Sequence, residues 1–416
     1  MSRMVFFRTF LFVCCALVCQ LPAAEQERRC FTLDADPVSA KLADIADDWT
    51  FTFAVDGQER EVAGRRLVRW GAYRDDDSGA QVVLADGGVL VAEILSIDDD
   101  TLSVYSDVFG ELAIPLAQVA GMVLEPPMDP LRRDLLLDQI RTAAGTQDRL
   151  LMENGDVVQG VISEKPRVGP RSADDVLTKI NIRLPSADEP VAIRYEKITA
   201  VIFDPALRKT PSLRGLRCGF GLDDGSLLWV AKVQTKRSMM LRLVCGLEID
   251  TDLETVVDVT VCLQPLGGDC LYLSDLKVID YKHIPFLQRR WEYQPDRNVL
   301  GGRLRAGAEL TLKGVGMHST SRLVYSVPKG VTRLEGQLAI DDQAGQGGSV
   351  LYRVFVNRPE EGWQTVFRSE PVRGGARPAP LSVDVANARG VMLVVEFADQ
   401  GDVLDYADWL NLYFAR

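Results

Sequence analysis

The chain reads as all-β: several small β-barrel-like repeats in a row, then a C-terminal β-sandwich. Three observations predict this. An Asp/Asn-Gly turn returns along the first two thirds, each time beside apolar runs of strand length. From Leu304 to Phe414, β-branched and aromatic runs alternate with turn signals, and no amphipathic stretch of helical length interrupts them. A single segment, Asp129 to Arg141 after Pro126-Pro127, has helical character.

Residues 1–24 carry the pattern of a secretory signal peptide. Arg3 and Arg8 flank the apolar run Phe6 to Leu21, which is too short for a comfortable membrane span and ends in Pro22-Ala23-Ala24. Export to the periplasm, the cell surface or the extracellular space is expected. The composition, 47% hydrophobic and 25% charged, is that of folded domains rather than disorder. The net charge is −12, and no Lys/Arg cluster stands out, so nucleic acid is not an expected partner. Beyond the signal lie Cys30, Cys218, Cys245, Cys262 and Cys270, an odd number without a CxxC spacing. Disulfides and buried thiols both remain open at this point. With His283 and His318 the only histidines, a zinc site is not expected.

Four repeated units are read over residues 30–75, 80–126, 147–207 and 216–265, with a linker helix at 127–146. The clearest copy runs from Asp86-Gly87-Gly88 to Ile94, then Thr101 to Val104, then Gly110 to Val119. Asn154-Gly155 and Asp224-Gly225 open similar copies, and a degenerate one, from Val38 to Trp70, contains Asp56-Gly57. Each unit has too few apolar positions for a large core, so it should close into a small barrel or pack on its neighbours. Strand order and the Asp-Gly turn resemble Sm-like or SH3-like small β-barrels; a four-bladed propeller is the rival. In the linker helix Leu131, Leu135 and Ile140 fall near one face, and the basic residues are read as the solvated side.

Over residues 266–416, Ser349 to Val356 follows the Gly-rich run Gln343 to Gly348 and reads as a strand, as does Val391 to Phe397 after Gly390. Three blocks stand in order here: KGVGMHS (Lys313 to Ser319), IDDQAGQGGSVLYRVFVN (Ile340 to Asn357) and DYADWLN (Asp405 to Asn411). Together they resemble the NPCBM family, carbohydrate-binding domains related to galactose-binding jelly rolls. The resemblance implies a jelly-roll sandwich with a polysaccharide or glycan as its partner. Sugar binding needs an aromatic face and polar groups that satisfy hydroxyls. Trp363, after the loop Pro359-Glu360-Glu361-Gly362, is the expected exposed aromatic, with Tyr352, and Trp291 and Tyr293 near the start of the region, as further candidates; His318 and Tyr406 are the expected companions. His318 also has a bland reading, in which it satisfies a buried backbone carbonyl. Trp409 heads an apolar strand and is read as core. Asp399, Asp402, Asp405 and Asp408 lie three apart around Gly401. Such oxygen ligands suit Ca²⁺, and the resemblance favours a structural calcium; a solvated acidic loop is the alternative.

Catalytic motifs are scarce. There is no GxSxG elbow, and no glycosidase barrel fits in the chain upstream. The expected function is that of an exported, non-catalytic carbohydrate-binding protein. The alternative is an envelope scaffold that binds protein partners, and a paired-carboxylate glycoside hydrolase ranks third.

Overall fold

The structure, a computed structural model, describes residues 28–75, 79–162, 178–187, 189–209, 214–235, 238–286, 288–399 and 401–416. The signal segment and part of the third repeat lie outside them. The described chain is all-β, with α-helices at Pro130–Thr142 and Leu253–Val259. Its two main hydrophobic cores divide by sequence: one gathers residues from Cys30 to Leu263, the other residues from Leu273 to Phe414.

The first region consists of four small barrels, each built the same way. In the first, the strands Arg28–Thr32, Val38–Ile45, Thr50–Val55 and Gln58–Ala63 pair in succession, and Leu67–Gly71 returns to pair with Arg28–Thr32. The final strands Val119–Val123, Ile198–Ile202 and Thr260–Leu266 return to Gln81–Leu84, Asp148–Met152 and Arg217–Leu222 in the same manner. Returning to the first strand covers an edge that a lone hairpin stack would leave open.

One expectation needs correction. The Asp/Asn-Gly turn does not open a unit. In the last three units it joins the first two strands, so a strand precedes it each time. In the first unit Asp56-Gly57, with φ of 50° and 75°, instead joins the third strand to the fourth. Turn chemistry marks a hairpin and leaves open which hairpin it is. The rival arrangement, a propeller, is not formed: the units associate chiefly through their closing strands, with a further bridge between the second and the fourth (Val89↔Leu227). The first unit pairs with the fourth (Gly71↔Cys262, Trp70↔Leu263), and the second with the third (Gly121↔Ile202, Met122↔Val201). Glycine is required at both contacts. A Cβ on Gly71 would lie 1.9 Å from the carbonyl oxygen of Val261, and one on Gly121 2.2 Å from that of Val201.

The linker helix begins at Asp129, whose side chain accepts from the Arg132 N–H at 2.8 Å, with Pro130 in its first turn. Leu137 and Ile140 are buried, whereas Leu135 is exposed. Its basic residues are not all solvated: Arg133 is buried, 3.0 Å from Asp75. Asp134, also buried, accepts from Arg303 Nε at 2.6 Å. Asp75 further binds Arg303 and Arg305, so helix, first barrel and sandwich meet on one buried ion cluster. Burial alone would raise the Asp75 carboxyl, but Arg303, Arg305 and Arg133 outweigh it and hold it well below the usual carboxylate range.

The C-terminal region is a sandwich of two antiparallel sheets. One has the order Gln294–Pro295, Gly314–His318, Tyr406–Ala415, Arg333–Ile340, Ala379–Asp384; the other runs Val278–His283, Ser321–Ser326, Gly390–Phe397, Ser349–Arg358, Gly362–Arg368. Between them Trp409 is fully buried and meets the Tyr352 ring edge-on at 4.8 Å. All five described cysteines are free, and burial pushes the thiols of Cys30, Cys245, Cys262 and Cys270 up to about 12.

Candidate functional site

His318 ends the strand Gly314–His318 and lies in register with Tyr406, the first residue of Tyr406–Ala415. In the other sheet, Val278–His283 ends at His283, and the loop that follows carries Arg289 and Trp291. Strand ends from both sheets therefore converge at one corner. There the Trp291 indole stacks on the His318 imidazole, with centroids 4.6 Å apart and planes 5° from parallel. Tyr406 lies 6.1 Å from both rings. The Arg289 guanidinium sits over the same indole at 3.7 Å.

Hydrogen bonds orient both imidazoles. The Ser319 carbonyl can only accept, so His318 Nδ1 at 2.7 Å and His283 Nε2 at 3.2 Å both donate to it. His283 Nδ1 accepts from the backbone N–H of Trp291 at 3.3 Å. Burial, chiefly, lowers the His318 pKa, so that ring is neutral near pH 7 and Nε2 keeps a lone pair. Behind them the Ser319 hydroxyl donates to Asp405 Oδ2 at 2.5 Å, and the Ser349 N–H donates to Oδ1 at 2.8 Å. Burial, the largest cause, raises the Asp405 carboxyl to about 6, with a contribution from the Asp402 charge. The bland reading of His318 is thus observed: the ring is buried and its Nδ1 satisfies the Ser319 carbonyl, while Trp291, Tyr406 and Arg289 form the more accessible part of the cluster.

The structure brings together only part of the expected site. His318 and Tyr406 share the corner. Trp363 is 43% exposed but sits on Gly362–Arg368, the edge of its sheet opposite Val278–His283. Trp291, Arg289 and His283 take the place expected for it. The four aspartates do not form one calcium site. Asp399 pairs with Arg373, Asp405 binds Ser319 and Ser349, and Asp408 is buried inside the sandwich beside Asp341. Burial and the Asp341 charge push the Asp408 carboxyl well above the usual carboxylate range. Alternation along Tyr406–Ala415 turns Asp408 inward, away from the loop. Among the described residues no three His, Cys, Asp or Glu side chains gather as a metal-holding group.

Comparison with known proteins places this site in context. The NPCBM/NEW2 domain is matched over residues 270–415. Alpha-1,3-galactosidase B of Akkermansia muciniphila is 33% identical to this chain over 129 residues, which make up 30% of this chain and 16% of that enzyme. The match thus spans about a sixth of the curated relative. Among solved structures, CBM51-2 with the INT domains of Clostridium perfringens ZmpB, in complex with GlcNAc, is 24% identical. It covers 44% of this chain and 39% of that one, with a TM-score of 0.31. CBM51 from Clostridium perfringens GH95, in complex with methyl-galactose, is 22% identical over 35% of this chain and 99% of that one, with a TM-score of 0.30. The C-terminal sandwich is similar to carbohydrate-binding modules.

Proposed function

We propose that this is an exported, non-catalytic glycan-binding protein that holds a sugar at the corner formed by Trp291, His318 and Tyr406. The observation that carries this reading is the convergence of two aromatic rings, a neutral imidazole and the Arg289 guanidinium at one corner where both sheets end. Aromatic surface suits the C–H face of a pyranose, and the polar groups suit its hydroxyls. The identity with alpha-1,3-galactosidase B makes galactose-containing glycans the first to test. Export rests on the signal pattern at residues 1–24. No helix among the described residues is long and apolar enough to cross a membrane.

Isothermal titration of the full chain with galactose, lactose and N-acetylglucosamine tests the site. Binding that falls at least tenfold in Trp291→Ala, and in His318→Ala, supports it. Binding that survives both changes but is lost in Trp363→Ala would move the site to the other edge of the sheet. No binding to any glycan, with capture of an envelope protein through the exposed Ile279, Ile284 and Phe286, would favour the scaffold reading instead.

A further inference from the structure

A cleft of about 860 Å³ lies where the first and fourth barrels meet the sandwich, and none of Trp291, His318 and Tyr406 lines it. Its walls hold Arg28, Arg29, Arg69, Arg74 and Arg377 against two carboxylates, Asp223 and Glu309. That excess of positive charge is unexpected in a chain of net charge −12. Arg74 is 3.7 Å from Glu309, whereas Arg28, Arg29, Arg69 and Arg377 make no ion pair among the described residues.

Aromatic rings and neutral oxygens position three of these guanidiniums instead. Arg69 lies 4.0 Å above the Phe31 ring and donates to the Gly71 carbonyl at 2.8 Å and to Gln337 Oε1 at 3.2 Å. Arg29 lies 5.5 Å from the same ring, and Arg28 5.3 Å from Trp70. Such contacts orient a guanidinium without neutralising it, and among the described residues they use only part of its five donors. Burial lowers the Arg69 pKa, a sign that its charge sits in a poorly solvated place without adequate compensation. Unpaired charge in such a place is costly to the fold. An anion entering the cleft would relieve the cost and accept charge-assisted, forked hydrogen bonds.

We propose that this cleft is an oxyanion-binding site that takes the sulfate or carboxylate of an acidic saccharide, with Arg69, Arg29 and Arg28 as its donors. The saccharide part rests on the glycan-binding reading above; the oxyanion part does not. The cleft's volume is ample for a mono- or disaccharide. The site spans both regions of the chain, since Gln337 and Arg377 come from the sandwich and the other arginines from the first barrel.

The test is titration calorimetry of the full chain at constant ionic strength, with sodium sulfate, galactose 6-sulfate, galacturonate and neutral galactose. Sulfate and at least one acidic sugar should bind. Arg69→Gln and Arg29→Gln should each weaken that binding about tenfold or more, and Trp291→Ala should leave it unchanged. Should Arg69→Gln fail to fold, Arg29→Gln and Arg377→Gln, both at exposed positions, carry the test. Absence of sulfate binding, or binding that ignores the arginine changes, would overturn the oxyanion site. Sulfate binding without either acidic sugar would overturn the saccharide assignment. Loss of neutral galactose binding bears only on the Trp291 corner, so the two sites fail separately.

Discussion

Asp75 and Arg305, 230 positions apart in sequence, form a buried ion pair where the first barrel meets the sandwich. Arg133 and Arg303 converge on the same carboxylate. Removing Asp75 leaves three guanidiniums with only Asp134 among them, and breaking a buried pair in this way costs about 3–5 kcal/mol. Asp75→Ala should therefore lower the urea midpoint sharply. An unchanged midpoint would mean that the cluster is solvated and does not join the two regions.

The glycines at the barrel contacts should be far less tolerant than turn glycines. Gly71→Ala puts a methyl group against the Val261 carbonyl at a position whose φ is +73°, and should cost about 3 kcal/mol or more. Gly121→Ala meets the Val201 carbonyl and should cost about 2–3 kcal/mol. Gly110, with φ +70° and open space around its Cβ position, should lose only about 1 kcal/mol on the same change. Melting temperatures of the three variants give the ranking.

Asp405 predicts how stability varies with pH. Its carboxyl is raised from 3.8 to about 6 in the folded chain, so below pH 4 both folded and unfolded forms are protonated and there is no penalty. As pH rises from about 4 to 6 the folded form retains a proton that the unfolded form has lost, and stability falls. Above about pH 6 the cost is complete, up to about 3 kcal/mol. Asp405→Asn should flatten this slope, stabilise the chain at pH 8 and change little at pH 4. Stability curves for the two proteins that run parallel from pH 4 to 8 would refute the assignment.

Calcium should not matter to the fold. Asp399 is committed to Arg373, and Asp408 lies fully buried inside the sandwich. Melting curves with added Ca²⁺ and with chelator should coincide. A shift of several degrees that Asp402→Ala abolishes would restore a metal to the loop.

Local signals in the sequence carried much of this architecture. The run Ser349 to Val356 is the strand Ser349–Arg358, Val391 to Phe397 falls in Gly390–Phe397, and the helical patch is Pro130–Thr142. Period, composition and capping are properties of neighbouring residues and can be read directly. Partnership across space cannot. The closing-strand contacts join residues such as Trp70 and Leu263, and no local pattern announces such a pairing. The candidate site divides the same way. His318 and Tyr406 stood in motif blocks, while Trp291 reaches them from an irregular loop whose only signal was an aromatic beside Arg289-Arg290. Loop composition gave the exposure of Trp363 correctly but said nothing of which edge it occupies.

The barrel contacts also impose an order of assembly. Second with third and first with fourth is the pattern of nested parentheses, the inner pair closed within the outer. On a ribosome the inner pair is complete once residue 202 has emerged, whereas Leu67–Gly71 must wait for Thr260–Leu266. Until then the first barrel presents an uncovered strand to the cell, and long-range pairing of this kind is slow and exposed to misassembly. Translation that stalls between the third and fourth barrels should leave a nascent chain with two unmet pairings, that of Leu67–Gly71 in the first barrel and that of Val89 in the second.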